Sequence, residues 1–376
     1  MTAARLERVI VGLSGGVDSA VAASRLLEAG YRVEGLFMKN WEDDDDQEYC
    51  AAAADLAMAQ EVAACLEIPL HKANFADAYR ERVFAHFLQE YQAGRTPNPD
   101  ILCNREIKFR AFLDHARNLG ATRIATGHYA RVRHNPDHSE LCLAADANKD
   151  QTYFLHTLTQ EQLRPALFPL GDIPKERVRE RARELGLPNH ARKDSTGICF
   201  IGERRFRDFL ARYLRAPEGD IRTPEGQVIG RHRGLMFYTL GQRQGLGIGG
   251  VEGFADAPWY VVDKDLARNQ LIVAQDGQHP LLMSPALTTE AGHWIHRPPL
   301  AGAPLQARVR HRQPLQGCRI AGLGEQGLQV AFETPQRAAT PGQSIAFYRG
   351  DVCLGGAVIA ARRTLAEEAR NPAVPV

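Results

Sequence analysis

The chain has seven cysteines, at positions 50, 65, 103, 142, 199, 318 and 353, and no C-x-x-C pair among them. That spacing argues against a structural zinc site and against an iron–sulfur cluster built on such a pair. An odd number of thiols in a reducing compartment argues against a disulfide framework. No apolar run approaches the roughly 20 residues that cross a bilayer. The opening MTAARLERVI enters a strand pattern almost at once, so a signal peptide is not expected and the cytoplasm is the expected compartment. No stretch reads G-x-x-x-x-G-K-[ST], so there is no Walker loop. Residues 291–324 contain no acidic side chain. No internal repeat or low-complexity tract stands out.

What remains is an ordinary soluble composition. With 376 residues, 44% of them hydrophobic and 24% charged, the chain can form two or three domains with proper cores. The net charge of +1 hides an uneven distribution. Residues 41–48, WEDDDDQE, form an acidic block. The acid-free stretch carries Arg297, Arg308, Arg310, Arg312, Arg319 and three histidines, and predicts a basic surface suited to a polyanion.

Over the first 130 residues, strand and helix patterns alternate. Strands are expected at Val9–Leu13, Arg32–Met38, Leu70–Asn74 and Arg123–Thr126. Helices are expected from Val17 to near Gly30 and at Tyr49–Leu66, Asp77–Ala93 and Lys108–Leu119. Such units predict an α/β domain, a Rossmann-like parallel sheet with helices on both faces. Its ligands should lie outside the carboxyl ends of the strands. A hairpin is expected between Arg131 and Asp146, and helices at Lys175–Leu185 and Arg204–Leu214. After about Pro217, short β-branched runs among frequent Gly and Pro predict a small central domain and then a C-terminal β-barrel. The expected domains are 1–205, 206–276 and 277–376.

The segment VIVGLSGGVDSA reads as strand, tight loop and helix. Gly15 and Gly16 let backbone amides approach an anion at a helix start, Ser14 and Ser19 add hydroxyls, and Asp18 could cap the helix or hold magnesium. SGGVDS resembles the pyrophosphate-loop motif of enzymes that cleave ATP between the α and β phosphates. Two further segments, TPNPDILCNREIKF and KDSTGICFIGERRF, each set a cysteine among polar and turn residues. Cys103 is expected close before a helix, where a thiol ionises more easily, and Cys199 in a loop. Two such thiols beside an ATP site suggest sulfur chemistry. The other five cysteines, in helix- or strand-like runs, are read as incidental.

With LFMKNW, TGHYA, NKDQTYFL and GQRQGLGIGG, these motifs resemble the bacterial tRNA-specific 2-thiouridylases over essentially the whole chain, from Val9 to about Ile359. The resemblance implies an adenine nucleotide alpha hydrolase-type N-terminal domain. It implies ATP-dependent 2-thiolation of the wobble uridine in the anticodon stem-loop of tRNAs for Lys, Glu and Gln. ATP with magnesium and a persulfide sulfur donor would be required, delivered by a sulfur-relay or cysteine desulfurase protein. ATP would be bound by Gly12, Leu13, Ser14, Gly15, Gly16, Val17, Asp18, Ser19, Met38 and Gly127. Cys199 would carry the persulfide, Cys103 would be the second catalytic thiol and able to pair with it, and Asp100 would be the acid/base. Asn98 and Pro99 would line the target-base pocket with Asp100. His128, Lys149, Asp150, Gln151, Arg310, His311 and Gln343 would contact tRNA. A monomer is expected to suffice. Rival readings are a pyrophosphate-loop amide-bond synthetase, which needs no paired reactive cysteines, and a tRNA-binding protein without catalysis, which needs neither SGGVDS nor the thiols. A third, thiolation through an iron–sulfur cluster, is disfavoured by the missing C-x-x-C.

Overall fold

The computed structural model describes residues 7–42, 51–193, 209–324 and 326–370. Strands β1 (Arg8–Gly12), β2 (Arg32–Lys39), β3 (Leu70–Asn74) and β4 (Arg123–Ala125) run parallel. A hairpin follows, of β5 (Arg131–His134) and β6 (Ser139–Cys142), and then β7 (Ala166–Leu167). The first sheet has the order β3-β2-β1-β4-β7. Alternation along β1 explains why its centre, Val9–Val11, is apolar at every position. Val9 and Val11 face one core with Val21, Val62, Val178 and Ala182, whereas Ile10 faces another with Leu36, Phe109, Phe112 and Ile124. Both faces are therefore covered, as a parallel sheet requires.

Helices α1 (Val17–Glu28) and α2 (Ala51–Cys65) and the helix Lys175–Glu184 contribute to the first core. A helix over residues 99–118 fills the second. This helix corrects the expectation of a start at Lys108. Asn98 caps it, its Oδ1 accepting from the Asp100 backbone N–H at 3.2 Å, and Pro99 takes the first helical position. The Asn-Pro-Asp signal is a helix start rather than a free-standing turn. Cys103 consequently lies inside the helix and not before it, where the backbone widens into a π-helical stretch, Cys103–Ala111.

A four-stranded sheet of Gly219–Arg222, Val228–His232, Tyr260–Asp265 and Gln270–Ala274 packs around Ile221, Val261, Val262 and Leu271. Six later strands form a closed ring, because Met283–Thr289 pairs with both Gly327–Arg337 and Val352–Arg363. Leu305, Ala307, Ile345 and Phe347, at alternate positions, fill its interior. The β5–β6 hairpin adds to this barrel sheet, with Leu141 opposite Cys353 and Cys142 opposite Val352. Of the cysteines read as incidental, Cys142, Cys318 and Cys353 are buried, Cys65 is exposed and Cys50 lies outside the described residues. Burial pushes the Cys318 and Cys353 thiols up to about 12. Among the described residues, no helix is long and apolar enough to cross a membrane.

Candidate active site

The loop between β1 and α1 is shaped by contacts only glycine allows. Gly15 has φ +77°, and a Cβ there would sit 2.6 Å from the Asp55 carbonyl oxygen. Ser19 Oγ accepts from the Ser14 N–H at 3.2 Å and donates to the Gly16 carbonyl at 3.0 Å, closing the loop onto the first turn of α1. Asn189 Nδ2 donates to the Gly15 carbonyl at 2.9 Å, and Arg192 pairs with Asp55 beside it. A Cβ at Gly127 would lie 2.8 Å from the Ser19 nitrogen, so the TGHYA loop presses directly on the same turn. A Cβ at Gly12 would meet Met38 Cε at 3.1 Å. The stretch Gly12–Ser19, Met38 and Gly127 thus converge at the carboxyl ends of β1, β2 and β4, the expected ligand edge.

Asp18 does not cap α1, which has no side-chain cap. Its Oδ1 instead accepts from Lys175 Nζ at 2.6 Å and from the Tyr129 hydroxyl at 2.8 Å. Sequence reading missed Lys175, Tyr129, Asn189 and Arg192. They lie more than a hundred residues from the loop in sequence; Tyr129 falls within the TGHYA motif, but no local pattern ties any of them to Asp18 or Gly15.

The 99–118 helix, which carries the second group of candidates at its start, packs against this edge further along its length. Its Phe112 would be 3.4 Å from a Cβ on Gly12. Asn98, Pro99 and Asp100 form its start, and Cys103, one turn on from Pro99, is buried. Burial raises the Asp100 carboxyl above its usual range, although Lys108 pulls the other way. Burial, helped by Lys108, holds His128 well below the usual imidazole value. His128 is therefore a neutral ring, hydrogen-bonded to Thr126 Oγ1 at 2.7 Å and 5.7 Å from the ring of Phe109. Lys108, also missed, is the charge that Asp100 and His128 share. Cys199 and most of its segment lie outside the described residues, as does most of the acidic block.

The other expected tRNA contacts are largely tied into the molecule. Asp150 is buried, and its carboxylate accepts from Arg308 at 2.8 Å, from Thr152 Oγ1 at 2.6 Å and from the Ala144 N–H at 2.8 Å. Gln151 Oε1 accepts from the Tyr129 N–H at 2.9 Å. Arg310 donates to the Leu240 carbonyl at 2.6 Å and the Ala338 carbonyl at 3.1 Å. His311 Nε2 donates to the Asp150 carbonyl at 3.1 Å, with its ring 4.4 Å from Phe154. Gln343 Nε2 donates to the Thr96 carbonyl at 2.7 Å, two residues before Asn98. Lys149 is half-exposed. The basic stretch is thus only partly a surface: Arg308 and Arg310 turn inward, while Arg297, Arg312 and Arg319 are exposed.

Comparison with known proteins gives the family. Residues 7–203 match a family model described as a tRNA methyl transferase HUP domain, 207–275 the corresponding PRC-barrel domain and 284–359 an aminomethyltransferase beta-barrel domain. The tRNA-specific 2-thiouridylase MnmA of Alcanivorax borkumensis is 60% identical across 94% of this chain and 97% of its own length. The proteins of that name from Alkalilimnicola ehrlichii and Pseudomonas aeruginosa are each 59% identical, over 95% and 94% of this chain and 98% and 95% of their own. The relatives' names carry uridine thiolation, whereas the model descriptions carry methyl transfer. At such identity over nearly the full length, the chain belongs to the tRNA-specific 2-thiouridylase family, the tRNA-uridine 2-sulfurtransferases.

Proposed function

We propose that this enzyme uses ATP to convert the wobble uridine of tRNAs for Lys, Glu and Gln to 2-thiouridine. The reading rests on one observation: the helix that begins at Asn98–Cys103 packs against the end of the strand leading into SGGVDS through Phe112 at Gly12, and against the TGHYA loop through Phe109 at His128. The uracil C2 carbonyl is a weak electrophile. Attack of its oxygen on the α phosphate of ATP releases pyrophosphate, which the amides of the loop and the α1 dipole are suited to hold. Met38 and Gly127 sit on the adenine side. Asp18 is half-exposed at that loop with Oδ1 held by Lys175 and Tyr129, so a magnesium ion accompanying ATP would reach it only through its other carboxylate oxygen, offsetting the charge of the phosphates.

The terminal sulfur of a Cys199 persulfide then attacks C2, and AMP departs with the C2 oxygen. Attack of the Cys103 thiolate on the Cys199 sulfur breaks the persulfide S–S bond, leaves sulfur on the base and forms a Cys103–Cys199 disulfide. External thiols reduce that disulfide, and a sulfur-relay or cysteine desulfurase protein reloads Cys199. Asp100, with a carboxyl raised by burial, is suited to proton transfer at the base, and Asn98 and Pro99 line its pocket. A wobble base in a single-stranded loop can be splayed out to reach such a pocket. Lys149 is the accessible tRNA contact of its segment. His128, Asp150, Gln151, Arg310, His311 and Gln343, held by bonds within the protein, would serve tRNA binding by bracing the segments that carry them.

The test is incubation with unmodified tRNA, ATP, magnesium and a persulfide donor, followed by nucleoside analysis. Wild type should form 2-thiouridine and Cys199→Ala should not. Full thiolation by Cys199→Ala would overturn the sulfur route, and no thiolation by wild type would overturn the function.

A further inference from the structure

The tip of the β5–β6 hairpin meets the barrel in a cluster of side chains that thiolation does not use. Asp137 and His138 lie in the hairpin's turn. His296 follows the short strand His293–Trp294, which pairs with the barrel strand Val352–Arg363. The rings of His138 and His296 stack with centres 4.2 Å apart and planes within 5° of parallel. Asp137 Oδ1 lies 2.8 Å from His138 Nδ1. One ligand atom from each of the three side chains falls within 4.8 Å of the other two. Glu140 Oε1, 3.5 Å from His138 Nε2, puts a further oxygen beside them.

An Asp–His pair alone is an ordinary surface contact. Here the backbone on both sides of the cluster is also fixed, and by a single residue. Gln160 Nε2 donates to the Ser139 carbonyl at 2.8 Å and to the Ile295 carbonyl at 3.0 Å, and its Oε1 accepts from the Ser139 N–H at 2.8 Å. Ser139 and Ile295 are buried, and each adjoins one of the two histidines. The ligand atoms stay accessible above this clamp. The Asp137 side chain is 67% exposed and that of His138 21%, and His296 is exposed.

We propose that Asp137, His138 and His296 bind one divalent transition-metal ion of the zinc, cobalt or nickel class, which joins the hairpin to the barrel. Two imidazoles and a carboxylate suit those ions, whereas magnesium and calcium take oxygen ligands. Water completes the coordination. One movement is required. An ion cannot lie in two parallel ring planes at once, so the exposed His296 ring turns until a nitrogen lone pair faces the ion. The hydrogen bond from Asp137 raises the His138 imidazole above its usual value, so an ion at the site displaces a proton there.

The site plays no part in the ATP reading and is tested without substrate. Full-length protein, freed of metal by a chelator, is titrated with cobalt, zinc and magnesium chlorides at mildly alkaline pH, where the imidazoles are neutral. His296→Ala and Asp137→Asn should each weaken cobalt and zinc binding at least about 10-fold. The wild-type cobalt spectrum less that of His296→Ala should show visible d–d bands without the intense near-ultraviolet band of a thiolate ligand. No cobalt or zinc binding by wild type, or equal binding by wild type and His296→Ala, would overturn the site. A thiolate band in the difference spectrum would assign the ion to cysteine and overturn it too. Magnesium bound as tightly as zinc would overturn the ion class. If Asp137→Asn loses its melting transition, His296→Ala decides alone.

Discussion

Replacing Asp150 by alanine separates bracing from direct tRNA contact. The Asp150 side chain is 1% exposed and that of Arg308 8%, and they meet at 2.8 Å. Arg308 Nε has no hydrogen-bond partner among the described residues, and its guanidinium lies over the Tyr348 ring at 5.5 Å. In Asp150→Ala a buried guanidinium would therefore lose its counter-charge, which costs about 3–5 kcal/mol. At about 2–4 °C per kcal/mol for a unit of this size, melting should fall by roughly 6–20 °C. The double variant Asp150→Ala/Arg308→Met leaves no lone buried charge and should recover much of the loss. Scanning calorimetry gives the melting temperatures, and filter binding at low temperature gives the tRNA affinity of the folded variant. The bracing account expects a large drop in melting with little change in affinity. Unchanged melting with tRNA binding weakened about tenfold, a change of about 1.4 kcal/mol, would refute it.

Gly127→Ala should weaken ATP binding, because its Cβ would stand 2.8 Å from the Ser19 nitrogen and 2.9 Å from the Asp18 carbonyl carbon. Such overpacking costs about 1–3 kcal/mol, and unchanged ATP affinity by calorimetry would contradict it. His156 is fully buried, and burial lowers its imidazole to about 4. The unfolded chain therefore takes up this proton before the folded one. Its contribution is complete above pH 6.5, is lost as pH falls towards 4, and amounts to about 3 kcal/mol at most. Urea melts at pH 7 and pH 4.5 should show this loss in wild type and less of it in His156→Phe; equal losses would count against the burial argument. Gln343→Ala removes the 2.7 Å bond to the Thr96 carbonyl, worth about 1 kcal/mol, and should lower kcat for thiolation while leaving the KM for tRNA. A rise in KM alone would instead mark Gln343 as a tRNA contact.

The sheet was readable because β1 and β2 are centred on apolar runs whose two faces must both be buried, and β3 and β4 follow at helical spacing although LHKAN and RIA are weaker signals. The phosphate loop was readable because its glycines and serines are local. The start of the 99–118 helix was not read, although Asn98 and Pro99 are standard helix openers. The same residues also mark turns, and the polar run NREIK hides the helix period. Charge misled at Arg308 and Arg310 as surface groups, since composition cannot distinguish a solvated arginine from one whose carboxylate or carbonyl partner lies 28 to 158 residues away. Lys175 and Lys108 illustrate the same limit from the other side. Lys175 meets Asp18, 157 residues away, only once the sheet and its helices are assembled, whereas Lys108 and Asp100 share one helix whose start the sequence hid.

The barrel is built into the catalytic domain and is not an appendage to it. Leu141 and Cys142 of the hairpin complete the barrel sheet, Asp150 is neutralised by Arg308, and Tyr153 donates to the Ser344 carbonyl at 2.9 Å. Gly342 fits so closely against Arg95 and Thr96 that a Cβ there would approach both within 3 Å. A chain ending before Met283 would expose Leu141, Tyr153 and Leu155, all fully buried, and strand a carboxylate. It would also release Thr96, which leads into Asn98, Asp100 and Cys103. Such a truncation is expected to lose ATP binding as well as tRNA binding, because the Gln151–Tyr129 pairing that steadies Asp18 continues directly into Asp150 and the barrel. Recovery of the truncated chain with wild-type ATP affinity would show that the nucleotide site stands without this bracing.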